Sequence, residues 1–113
     1  MVTAECWLVS DGHVLASAER ADDRRSRARG LLGRSEFEGA LVLSKCRSVH
    51  TIGMKFAIDV AYLDAEGMVL KVAHMNRNRI GTPVWKATTV VEAQAGAFER
   101  WSLKVGDQVE LRE

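Results

Sequence analysis

The stretch from Cys46 to Asp64 reads CRSVHTIGMKFAIDVAYLD, and the reading of its second half decides the fold. Phe56 to Leu63 is apolar on both alternating faces and carries one carboxylate, Asp59. Such a run reads as a core strand. It ends at Asp64-Ala65-Glu66-Gly67, a turn tetrad, and Met68 to Met75 is expected as its hairpin partner, with Met68, Leu70 and Val72 alternating against Lys71. The first half places Cys46, His50 and Met54 at four-residue steps. Val49, Thr51, Ile52 and Gly53 are poor helix formers, so residues 45–55 are expected as a loop or an irregular connection.

Working upstream, Gly39 to Ser44 holds four successive apolar residues, which fits a strand buried on both faces. Residues 4–9 and 13–19 flank Asp11-Gly12, a strong hairpin signal, with Trp7 and Leu15 expected among the buried residues. Between these lies ERADDRRSRARGLLGR. Asp22 is placed to cap a short helix, Asp23 to sit in its first turn and Gly33 to stop it. Ala28, Leu31 and Leu32 share one face of that helix; Arg27 flanks it on one side, Arg25 and Arg29 on the other. Downstream, residues 76–86 read as a loop anchored by Trp85. Thr88 to Ala95 is a strand ended by Gly96, Ala97 to Leu103 a single helical turn, and Gln108 to Leu111 a last strand. The sum is a mainly β fold with a minor α part: a compact sandwich or barrel of about seven short strands, its opening covered by one short Arg-rich helix. The whole chain, 1–113, is expected to form one domain.

Composition narrows the function classes. The 113 residues carry a net charge of +1 and are 47% hydrophobic. No global charge favours nucleic acid or an anionic membrane, and no run is long enough for a membrane span. Acidic residues at Glu19, Asp22, Asp23, Glu36 and Glu38 offset the arginines of the helix. Cys6 and Cys46 form no Cys-x-x-Cys pair and are expected as free thiols. His13 and His74 suggest no zinc site, and Gly30-Leu31-Leu32-Gly33 is no phosphate loop. The N-terminus shows no signal-peptide pattern, so a cytoplasmic protein without a cofactor is expected.

Several boxes of this sequence, in order, resemble the bacterial and archaeal family of unknown function called DUF192. They are Arg27-Ala28-Arg29-Gly30-Leu31-Leu32-Gly33-Arg34, then Met54-Lys55, then Ile58-Asp59, then Val91-Glu92 with Ala95-Gly96, and finally Val105-Gly106-Asp107. The resemblance spans about Arg24 to Leu111 and implies a compact β-rich fold. It brings no activity with it.

Four residues stand out as ligand-binding candidates: Arg29, Arg34, Asp59 and Glu92. A carboxylate buried in its strand must be paired or protonated, and Arg29, Arg34, His50 or the backbone of the 45–55 loop are the expected partners of Asp59. The leading expectation is a binding or accessory module for an anionic small molecule or a peptide terminus, held by arginines beside a strand end. A second is a hydrolase using Asp59 and Glu92 with His50. A third is a soft-metal or redox site at Cys46, His50 and Met54, or a Cys46–His50 nucleophile pair.

Overall fold

The structure, a computed structural model, describes residues 6–113. Seven strands form one sheet: β1 Cys6–Ser10, β2 His13–Ala21, β3 Ala40–Ser44, β4 Ile58–Leu63, β5 Val69–Met75, β6 Thr89–Gln94 and β7 Val109–Arg112. Two short helices, α1 Arg24–Arg29 and α2 Ala97–Trp101, interrupt them. The strand order is β5-β4-β6-β3-β2-β1-β7. Every neighbouring pair is antiparallel except β2–β3. A parallel pair cannot be joined by a tight turn. The crossover over residues 22–39, which contains α1, supplies the connection and becomes one wall of the candidate site.

The sheet curls until its edges meet at one end. Met68 bridges Gln108, and the Val109 N–H donates to the Gly67 carbonyl at 2.9 Å. The result is a half-barrel with two apolar layers. Leu8, Val42, Ala61, Leu63, Val91, Phe98 and Val109 fill the concave side. Leu41, Leu43, Val60, Tyr62 and Val90 face the convex side, where Leu31, Phe37 and Met54 from the covering segments pack on them. All six residues of β4 are buried, as a strand apolar on both faces requires. Each fully buried aliphatic side chain contributes roughly 1.5–3 kcal/mol, so β4 is a main source of cohesion between the layers.

Several details depart from the sequence reading. The expected first strand began at residue 4, and residues 4 and 5 lie outside the described residues. Trp7 is 42% exposed, because alternation along β1 turns Cys6 and Leu8 inward and Trp7 outward; Leu15 is half-buried against the core. The cap of α1 is Asp23, not Asp22: its Oδ1 accepts from the Ser26 N–H at 2.8 Å. The helix stops at Gly30, whose φ of 52° a side chain disfavours, and not at Gly33. No residue of α1 is buried, and Leu31 and Leu32 after it make the core contact. The Arg-rich helix therefore rests on the convex face, while Phe98 of α2 fills the concave side. Leu70 is an extra residue at a bulge, Leu63 pairing with Val69 and Tyr62 with Lys71, so Val69 rather than Met68 turns inward. Trp85 is 76% exposed and anchors nothing; Val84 packs in its place.

Two loops cover the convex face. The Val84 N–H donates to the Arg47 carbonyl at 2.9 Å, the Gly81 N–H to Val49 at 2.8 Å and the Thr51 N–H to Arg79 at 2.7 Å. Residues 45–57 and 76–88 contain no Asp or Glu. Lys45, Arg47, Lys55, Arg77, Arg79 and Lys86 are all exposed. Among the described residues, no ion pair engages any of them.

Candidate functional site

The crossover and the 45–55 loop approach each other across the convex face without touching throughout. A cavity of about 210 Å³ remains between them. Arg27, Arg29 and Gly30 line it from the crossover, Cys46, His50 and Met54 from the loop, and Leu43 and Glu92 from the sheet beneath.

Glu92 sets the chemistry of this cleft. In register it stands opposite Val60 on one neighbouring strand and Leu41 on the other, so its side chain joins theirs on the convex face. It is only 5% exposed, and its Oε1 is enclosed without a hydrogen-bond partner. A carboxylate in such a place loses its hydration with nothing in return, so the neutral form is favoured. Burial pushes its pKa up to about 7, and among the described residues no cation offsets the effect. Gly30 lies directly over this group. A Cβ there would come within 3.1 Å of Oε1, and φ is already positive. The glycine thus ends α1 and lets the crossover settle on the carboxyl.

The opposite wall is held by Thr51, which is fully buried. Its Oγ1 donates to the Asn76 carbonyl at 2.6 Å and accepts from the Arg79 N–H at 2.8 Å. Its own carbonyl accepts from the N–H groups of Met54 and Asn78. One side chain thereby fixes the 45–55 loop to the 76–88 loop and sets the position of His50 and Met54.

Cys46, His50 and Met54 do line one cleft. Their chemistry is muted, however. The Cys46 thiol donates to the Ser48 carbonyl at 3.3 Å, and burial raises its pKa, so it stays protonated and is a poor nucleophile and a poor ligand. Met54 is 5% exposed and packs in the convex core layer. Among the described residues, no cluster of three His, Cys, Asp or Glu side chains is placed to hold a metal ion.

Asp59 and Arg34 lie elsewhere. Asp59 pairs in register with Ala93 and Glu92 with Val60, so the two carboxyl groups are on opposite faces of the sheet. The carboxylate pair that a hydrolase reading requires is not assembled. Among the described residues, no arginine reaches Asp59. Its Oδ2 accepts from the N–H groups of Gly96 at 3.0 Å and Phe98 at 3.2 Å, and its Oδ1 stands 3.4 Å from His74 Nδ1. Asp59 therefore caps α2 from a neighbouring strand, since Gly96 has no side chain to do so. Arg34 pairs with Glu19 at 2.9 Å, with its guanidinium 5.0 Å from the centre of the Phe37 ring. Of the four candidates, the structure brings Arg29 and Glu92 to one cleft and gives Asp59 and Arg34 separate structural partners.

Three contributors escape sequence reading. Arg27 read as a helix flank, and its place at the cleft follows from the helix lying on the convex face. Gly30 stood inside the arginine box, though only the fold shows what it covers. Thr51 carried no signal, because its partners are backbone groups 25 and 28 residues away.

The fold is a small, mainly β half-barrel with a buried carboxyl beneath a basic helical turn. The chain belongs to the DUF192 family, described as "Uncharacterized ACR", whose model matches residues 7–111. Two solved structures share the fold. One is a protein of unknown function from Novosphingobium aromaticivorans, with a TM-score of 0.76, 18% identity, and coverage of 96% of this chain and 84% of that one. The other, from Sinorhizobium meliloti, is described as "a putative transcription regulator", with a TM-score of 0.75, 16% identity, and coverage of 94% and 91%. At these identities the likeness concerns the fold alone. Among curated proteins, none matches this sequence. Among the described residues, no helix is long and apolar enough to cross a membrane.

Proposed function

We propose that this domain is a binding or accessory module whose site is the cleft over Glu92, and that its ligand is a small anionic molecule or a peptide terminus. The observation that carries the reading is Glu92 itself: a buried carboxyl group whose Oε1 has no partner among the described residues, in a cavity that Arg27 and Arg29 also line. A purely structural carboxyl is normally satisfied by its neighbours, as Asp59 is. Arg27 and Arg29 supply the cationic side of the cleft, and Leu43 and Met54 supply apolar surface. At about 210 Å³ the cavity is smaller than the usual drug-sized site, which restricts the ligand to a few heavy-atom groups or a chain end. Cys6 and Cys46 are both free, which fits a cytoplasmic setting.

Thermal-shift screening with small carboxylates, phosphate esters and short peptides tests the reading. A stabilising anion is expected, and the double substitution Arg27→Ala, Arg29→Ala should remove its effect, while Arg34→Ala should leave it. A screen without any stabilising compound, or an effect indifferent to both arginines, would sink the proposal.

A further inference from the structure

The cleft is polarised, and its two ends call for different chemistry. Arg27 and Arg29 stand on the crossover, and Glu92 lies under Gly30. These arginines do not neutralise the acid: no hydrogen bond or ion pair among the described residues reaches Glu92, and burial is the sole cause of its raised pKa. A ligand with only an anionic group satisfies the arginines and leaves Glu92 orphaned. A ligand with only an amine satisfies Glu92 and leaves unanswered the charge of Arg27 and Arg29, whose guanidiniums meet, among the described residues, only the Asp22 and Leu32 carbonyls. The surface between the ends is largely aliphatic, with Leu31, Leu43 and Val49 among the lining residues.

We infer that the cleft takes a zwitterion: a short ligand that turns an ammonium or N–H donor to Glu92 and a carboxylate or phosphate to Arg27 and Arg29, with an apolar body between. This rests on the cleft being the binding site. An N–H donor at Glu92 completes a buried acceptor, and a charge-assisted bond of this kind is among the stronger polar contacts available in a protein. The anionic end can be gripped by a planar guanidinium fork, which recognises carboxylate and phosphate alike. The apolar body makes the spacing between the two charged ends the selective feature. A chain whose ends are too close engages one site only.

Isothermal calorimetry with three matched series tests this. The first is the ω-amino acids from glycine through 4-aminobutyrate to 6-aminohexanoate. The second is the carboxylates of the same lengths, and the third the corresponding alkylamines. One ω-amino acid is expected to bind at least tenfold more tightly than both its matched carboxylate and its matched amine. Glu92→Gln should reduce that compound to the level of the carboxylate, and Arg27→Ala with Arg29→Ala to the level of the amine. Far-ultraviolet circular dichroism and thermal unfolding of each variant establish that it is folded. If carboxylates bind as tightly as the amino acids and Glu92→Gln changes neither, the zwitterion inference fails while the anion-binding cleft stands. If no compound of the three series binds and no anion stabilises the protein, the cleft reading itself falls.

Discussion

Glu92 makes the stability of this protein depend on pH in a direction opposite to that of most carboxyl groups. Its pKa is about 7 in the folded chain, above the ordinary value of 4.5. Below pH 4.5 the group is protonated both folded and unfolded and contributes no slope. Between 4.5 and 7 the unfolded chain releases this proton while the folded chain keeps it, so stability falls as pH rises. Above 7 the loss is complete, at about 3 kcal/mol for a shift of this size. Urea unfolding of the wild type and of Glu92→Gln at pH 5 and pH 8 isolates the effect. The variant is expected to gain on the wild type by roughly 2–3 kcal/mol between those two values, since part of the loss has already occurred at pH 5. An equal response of both proteins to pH would show that Glu92 is hydrated or paired. In the sequence, Glu92 is legible as a carboxylate between apolar neighbours. Its isolation is not, because that follows from Gly30 settling over it from a segment about sixty residues away.

At the scale of elements, the cleft exists because two loops without regular structure are locked to each other. The lock is Thr51. Thr51→Val keeps the shape of the side chain and deletes its hydroxyl, which takes a partner from the part-buried Arg79 N–H and Asn76 carbonyl. A loss of about 1–3 kcal/mol is expected in equilibrium unfolding. Hydrogen exchange should rise across residues 47–54 and 76–84 and remain unchanged in β4 and β6, because the strands do not depend on this contact. Uniform exchange across the variant would mean that the loops are held by packing instead. The strands themselves were legible because their apolar runs exceed any competing pattern, as in Ala40–Ser44 and Ile58–Leu63. The errors have local causes. Trp7 read as buried and Trp85 as an anchor through bulk alone, but orientation is set by register in one case and by the loop's hydrogen bonds in the other. Leu70 broke the alternation of β5 through a bulge that composition does not announce. Asp59 read correctly as a buried carboxylate in need of partners. Those partners are backbone N–H groups of α2, which no count of arginines could reveal.

For the whole molecule, the formal charge of +1 hides a separation. The two convex-face loops carry six positive charges and no negative ones, so the rest of the chain, which must bring the total to +1, sums to −5. On a cation exchanger at pH 8, just above the sequence pI of about 7.8, the protein is expected to be retained despite its near-zero net charge. Replacing Arg77 and Lys86 with Glu should abolish retention. The same change at Arg24 and Arg100, which leaves the convex-face loops intact, should weaken it less. Equal effects of the two double variants would mean that the exchanger reads total charge only.

A body with a Cα radius of gyration of 12.5 Å that gathers six exposed positive charges on two adjoining loops carries an uneven surface charge. In the field of an anionic object it experiences a torque before any contact is made, and it turns the loop face forward. The 45–55 loop is both part of that face and a wall of the cleft, so rotation also presents the cleft mouth. Orientation in this sense acts over distances set by the Debye length, about 8 Å at physiological ionic strength, and fades as salt is added. If the ligand is the anion proposed above, the half-barrel would meet it loop face first, and ionic strength would govern how often an encounter begins from that side.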